Sequence, residues 1–424
     1  MSTLFWSARK SLFVIALGVF LNVGAIAAAG TTLPITELGA VGDGQTLNTK
    51  AIQAAIDRVA EQSGGGTVVI PKGVFLSGAV FLKPGVNLKL DEGAVVKGST
   101  NIEDYPKTRT RIEGHFEEWI PALVNADGCD HLRIEGAGML DGSGQPFWDL
   151  FWARRRADAS TKNLDVPRPR LCFIQKSKDV TVSGIHFKDS GFWNLHLYRC
   201  SEAVVENVRF EVPLDKRCPS TDGTDVDSCQ NVTIRGCFYS VDDDCVAIKG
   251  SKGPFALGDK DSPPVEHIHV VDCTFKRGQG LVTLGSEATI VRDVIVEKCR
   301  VTGPNIVARL KLRPDTPQDY EDIHYREITL DAASGTIIQI NPWRQYFDLQ
   351  GQPPPKSTVK NITISGVKGK YGSFGSIQGN PGTDISDITI ESVDVTLQDP
   401  KLKTGNDITM KNVVVNGEQV TANK

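Results

Sequence analysis

The 424-residue sequence predicts an all-β chain wound as a single-stranded parallel β-helix, with a short helix capping its N-terminal end. Three observations predict it. One strand pattern recurs nine times, no helical crossover pattern separates the recurrences, and the dipeptides that close hairpins are scarce between them.

The recurring segments read "KDVTVSGIHF", "EAVVENVRF", "QNVTIRGCF", "EHIHVVDCTF", "RDVIVEKCRV", "EDIHYREITL", "KNITISGVKG", "SDITIESVDV" and "NDITMKNVVV". Each opens on a polar residue, alternates apolar side chains, passes a small polar pair and ends on one apolar or Cys position. Those last positions are Ile185, Val208, Cys237, Cys273, Cys299, Ile328, Val367, Val393 and Val413, in steps of 20 to 39 residues. Period-two alternation rich in Val, Ile and Thr marks strands with one buried face. A repeated strand that cannot bury its inner face alone stacks on the next, so unequal steps mean unequal loops over a constant core. A β-sandwich is the competing architecture.

In "NTKAIQAAIDRVAEQSGGG", Ile52, Ile56 and Val59 fall at helical spacing ahead of glycines, predicting the helix that plugs the open N-terminal end. Upstream, Arg9 and Lys10 precede the apolar run "LFVIALGVFLNVGAIAAA", with Ala27-Ala28-Ala29 as a small-residue cleavage site. This reads as a secretory signal peptide over 1–29, leaving 30–424 as one β-helix domain, secreted or periplasmic. Export would permit disulfides, and nine cysteines leave at least one unpaired. Cys237, Cys273 and Cys299 are instead expected to stack as small apolar packing residues.

A net charge of -4 is too mild to indicate a nucleic-acid partner, and no segment after the leader is apolar for long enough to span a bilayer. The run Arg154-Arg155-Arg156 reads as a solvated basic turn, or as a contact for an acidic ligand.

The stretch "STDGTDVDSCQNVTIRGCFYSVDDDCVAIKG" is crowded with aspartates, which repel one another unless something uses them. A calcium loop is one use, and "DGTDVD" supplies part of its alternating pattern. Carboxylates converging on one bond are the other. Asp243 lies six residues after Cys237 and Gln279 six after Cys273, so neighbouring coils stack them about 4.8 Å apart. Asp222 precedes Asp243 by 21 residues, near one minimal coil. Asp243 and Asp244 can face one substrate only from a bend, which "SVDDDC" provides before "VAIKG". Hydrolysis of a glycosidic bond needs one protonated carboxyl and an ionised one that activates water, and crowding keeps one acid protonated.

These motifs resemble glycoside hydrolase family 28, the polygalacturonase and rhamnogalacturonase type of pectin hydrolase. They are "GAVGDGQTLNTKAIQAAI", "GAGMLDGSGQPFW", "STDGTD", "DDDCVAIKG" and "RLK", in order across nearly all of the chain after the leader. The resemblance implies a right-handed, pectin-lyase-like β-helix, Asp243 as general acid, and Asp222 and Asp244 holding the attacking water. It implies inversion at the anomeric carbon, no metal and no cofactor. Arg309 and Lys311 match a pair that grips a uronate carboxylate, with a structural salt bridge as the alternative, and Tyr325 falls near a cleft tyrosine. "GQGLVTLGSE" departs from the family: Gln279 stands where polygalacturonases carry histidine, and the resemblance implies that members acting on rhamnogalacturonan also lack that histidine. The excursions "PFWDLFWARRR" and "NPWRQYFDLQGQPPPK" are expected to wall the cleft, with Trp148, Trp152 or Trp343 stacking on sugars or anchoring the loops. The expected partner is a pectic poly- or oligosaccharide bound by a monomer. A polysaccharide lyase and a non-catalytic carbohydrate-binding solenoid are the alternatives.

Overall fold

A computed structural model describes residues 30–421; the segment read as a signal peptide lies outside the described residues. Within them the chain winds into a parallel β-helix whose coils contribute strands to three stacked sheets. The back sheet includes Thr181–Ser183, Ser201–Glu206, Gln230–Arg235 and Val265–Val271, each in parallel register with the next. The second includes His186–Lys188, Arg209–Glu211, Phe238–Ser240 and Thr274–Arg277. The third, which floors the site, runs through Cys172–Gln175, Leu195–Tyr198, Thr224–Asp227, Val246–Lys249, Val282–Leu284, Ile306–Leu312 and Thr336–Pro342.

The nine repeated segments cross the corner between the back and second sheets. The residue before each aligned apolar slot, namely Gly184, Asn207, Gly236, Asp272, Lys298, Glu327, Gly366, Ser392 and Asn412, has φ between 52° and 73°. Each segment is therefore bent rather than a single straight strand. A left-handed residue costs a side-chain-bearing amino acid about 1–2 kcal/mol, least for Asn and Asp, which explains the small polar pair in the pattern. All nine slot residues are buried.

Inside the second-sheet corner, Cys237, Cys273 and Cys299 stack in successive coils, and all nine cysteines are free and buried. Beside them the rings of Phe187, Phe210, Tyr239 and Phe275 stack with centroids 5.0, 4.9 and 5.3 Å apart. The cap is helix α1, Thr49–Ala60, which buries Ile52, Ala55, Ile56 and Val59 against the first coil. Helix α2, Gln145–Ala157, is formed by the aromatic excursion that the sequence suggested only as a wall. A further excursion, the antiparallel hairpin Thr108–Ile112 and His115–Trp119, carries no sequence signal noted above. No helix among the described residues is long and apolar enough to cross a membrane.

Because the thiols pack and do not bridge, reductant should leave the melting temperature unchanged. A thiol reagent should find none in the native protein and nine in denaturant; a melting point lowered by reductant would reveal a bridge.

Candidate active site

The floor sheet brings in its side chains at the corner where the second sheet turns into it. The Thr224–Asp227 and Val246–Lys249 strands pair with Thr224 opposite Val246. Two residues further back, the same register sets Asp222 level with Asp244, and the intervening Gly223 N–H donates to the Asp244 carbonyl at 2.9 Å. This corrects the expected 21-residue coil by one residue: the step is 22, so Asp222 underlies Asp244 and not Asp243. Residues 241–245 form the expected bend between strands, and Gln279 N–H donates to the Asp243 carbonyl from the next coil. The carboxylates of Asp222, Asp243 and Asp244 come together, each offering an oxygen within 4.8 Å of the others.

Their surroundings differ sharply. Asp244 is fully buried; its Oδ1 accepts from Thr283 Oγ1 at 2.7 Å and from Arg309 at 2.8 Å, and its Oδ2 from Lys311 Nζ at 2.6 Å. Burial works against its charge, but Lys311 and Arg309 overcome that and hold its pKa down to about 2. Asp243 is half-buried with no cation bonded to it. Desolvation, then the charges of Asp222 and Asp244, push it up to about 7. Asp222 is also raised by burial, against the pull of Lys249 3.3 Å away. Crowded acids thus divide into one protonated near neutrality and one held ionised.

Arg309 and Lys311 lie beside the acids, but as an ion pair with Asp244 and not as free grips for a ligand. Gln279 is exposed; its Oε1 accepts from Arg309 at 3.2 Å and its Nε2 donates to the Asp242 carbonyl at 3.2 Å. Tyr325 does not reach the cleft. Its alternation with Ile323 points it into the core, where its hydroxyl donates to the Val282 carbonyl at 2.7 Å. Trp148 is likewise buried, donating to the Ser190 carbonyl, whereas Trp152 and Trp343 line the cavity.

Lys249, Glu287 and Trp193 belong to the site although sequence reasoning gave them no role. Lys249 is buried 3.3–3.9 Å from Asp222, Asp225 and Glu287, and 4.4 Å over the Trp193 ring. Its signal was available: in "VAIKG" the inward residues are Val246 and Ile248, so period two puts Lys249 on the floor. Asp242, the first of the three consecutive acids, instead pairs with Arg277 and accepts from the Cys218 N–H, holding the loop that carries Arg217.

The acids sit in a cavity of about 460 Å³, within the range of about 300–1,000 Å³ usual for small-ligand sites. Phe151, Trp152, Arg155 and Arg217 line it, as do Trp343, Gln345, Tyr346, Glu113 and Lys252.

The family model for glycosyl hydrolases family 28 matches residues 61–419. The chain belongs to this family. It is 26% identical over 352 residues to an exopolygalacturonase of Zea mays, covering 80% of this chain and 77% of that one. To an endo-polygalacturonase of Pectobacterium carotovorum subsp. carotovorum it is 25% identical over 377 residues, 87% of each. Among solved structures, an exopolygalacturonase from Thermotoga maritima superposes with a TM-score of 0.67 at 23% identity, covering 92% of both chains. The fold is accordingly the right-handed parallel β-helix of a glycoside hydrolase.

Within this family 28 chain, Asp243 also sets a stability trend. An ordinary aspartate has a pKa of 3.8, against about 7 here. Between those values the native state holds the proton that the unfolded chain has lost, so this residue makes stability fall as pH rises through that window. Asp243→Asn should remove the fall, making the variant more stable than the parent at pH 8 and no more stable at pH 3. Equal melting temperatures at pH 8 would contradict the assigned environment.

Proposed function

We propose that the chain is an exported, inverting hydrolase that removes galacturonate from the ends of pectic chains. Residues 1–29 act as its signal peptide and 30–424 as the mature domain, secreted or periplasmic, monomeric and without metal or cofactor. The observation that carries the reading is the convergence of three acids with unequal partners, Asp244 bonded to Thr283, Arg309 and Lys311 and Asp243 to no cation. Asp243 gives its proton to the leaving oxygen, which needs a carboxyl still protonated near neutral pH. Asp244 stays ionised and, with Asp222, holds and deprotonates the water.

Stereochemistry is argued from the same contacts. For a simple pair, carboxyls about 5 Å apart suit a nucleophile and about 6.5–9.5 Å suit inversion, so the tight cluster taken alone favours retention. Against that, Asp244 already accepts three hydrogen bonds, from Thr283, Arg309 and Lys311, which blunts it as a nucleophile while one of its roughly four acceptor sites is left for water. The family resemblance points the same way. End-wise action is argued from the likeness to an exopolygalacturonase of Zea mays, and the likeness to an endo-polygalacturonase makes the product series the deciding measurement. Gln279, neutral at every pH, replaces the family histidine with a hydrogen-bonding group that cannot titrate. A rhamnose-containing or decorated chain therefore belongs among the substrates tested.

Homogalacturonan and rhamnogalacturonan, incubated separately, test the reading. Monogalacturonate from the first minutes, with the β-anomer formed first by proton NMR, is expected. A ladder of intermediate oligomers would overturn end-wise action and a first-formed α-anomer would overturn inversion. An ultraviolet-absorbing unsaturated product would make the protein a lyase, and binding without product a carbohydrate-binding solenoid. Asp243→Asn should lower kcat by about 10²–10⁴-fold. In the parent, kcat/KM should fall as pH rises through about 7, where Asp243 loses its proton.

A further inference from the structure

A polyuronate carries a carboxylate on each sugar, yet the pair matched to uronate binding is occupied by Asp244. The remaining cations of the cavity are not equivalent. Lys249, Lys252 and Arg313 have carboxylates at 3.3, 3.6 and 2.8 Å. Arg155 and Arg217 line the same cavity and have no carboxylate within ion-pair distance among the described residues. Both stand on one wall, Arg155 in the last turn of α2 and Arg217 in the loop entering the Thr224–Asp227 strand.

That wall is built. The Arg217 guanidinium lies 4.0 Å over the Trp152 ring, and Trp152 Nε1 donates to the Arg217 carbonyl at 2.9 Å, tying helix to loop. Behind it Arg168 is wholly buried, stacked 4.3 Å over Phe151 and 4.6 Å over Phe192. It donates to the Pro219 carbonyl at 2.6 Å, and to the Asn163 carbonyl and Ser220 Oγ at 3.4 Å each. Among the described residues it has no carboxylate in ion-pair contact, and its Nε is bonded to nothing. A buried guanidinium without an anion is costly, and Asn163, Pro219 and Ser220, which it holds, all line the cavity.

We propose that this wall is a second uronate subsite, in which Arg155 and Arg217 bind the carboxylate of a sugar beyond the one at the cleaved bond. Arg168 adds positive charge behind it, felt by Glu113, Asp243 and Asp222 only through space, and Trp152 fixes the spacing. The subsite rests on the hydrolase reading and names which part of the substrate the cavity selects: an anionic neighbouring sugar, not a neutral one.

The test titrates trigalacturonate into Asp243→Asn protein by calorimetry, with and without Arg155→Gln and Arg217→Gln, using the neutral galactotriose for comparison. Hydrogen bonds to a charged group are worth enough that each Gln variant should weaken trigalacturonate binding about ten-fold or more, leaving galactotriose unchanged. In the otherwise unaltered enzyme the same substitutions should raise KM and leave kcat within about two-fold. The Lys variants, which keep the charge, should recover part of the affinity. Unchanged trigalacturonate affinity, equal losses for both trisaccharides, or a loss of kcat at constant KM would each overturn the subsite. Should the parent fail to hydrolyse galacturonan at all, the hydrolase reading falls instead, and the calorimetry still reports on the anion.

Discussion

Axial registry is the constraint on which this molecule depends. Parallel strands fix neighbouring coils at one spacing, so residues far apart in sequence are level whenever their offset equals the coil length. Asp222 is level with Asp244, and Asp243 with Gln279, at one corner of three consecutive turns just ahead of the floor strands. A one-residue slip in a strand exchanges its inner and outer faces. The aromatic and thiol stacks within the second sheet resist such a slip, because each ring or sulfur fits only above its counterpart. Core packing and site geometry are therefore one requirement, met by the same ladder.

The second theme is charge held out of water. Asp244 and Lys249 are both buried, and each is compensated from more than one side: Asp244 by Arg309, Lys311 and Thr283, Lys249 by Asp222, Asp225 and Glu287. Asp243 has no cation bonded to it, and Lys311 and Arg309 act on it only through space. Breaking a buried pair from one side leaves a stranded charge, so these contacts are stiff, and stiffness preserves the contrast between the acids. His196 shows the same principle without exposure to the cleft: buried beside Arg170 and Asp227, it is held down to about 3, chiefly by desolvation, and stays neutral.

Much of this was legible in the sequence because the β-helix writes itself locally. Alternation gave the strands, though each repeat was read as one strand and turns a corner at its left-handed residue, and the step from Cys237 to Cys273 gave the ruler that related Asp243 to Gln279. The ruler failed by one residue at Asp222, because the loop carrying Arg217 is inserted between the Val208 slot and that acid. Tyr325 was misplaced by a loose match, although its parity with Ile323 already assigned it to the core. The state of Arg309 and Lys311 was not readable, because motif and salt bridge use the same residues. Helix α2 and the hairpin at 108–119 belong to no repeat, so nothing periodic announced them.

The three corners of the coil are not alike. The one between the back and second sheets is turned by a single left-handed residue in all nine repeats. Both edges of the floor sheet accept insertions: α2, the segment holding Arg217, the stretch around Lys252 and the one around Trp343. The molecule thus has an invariant spine and two open margins flanking the chemistry. Divergence can lengthen or replace the margins, one turn at a time, and so change which carbohydrate is admitted while the acids stay where they are.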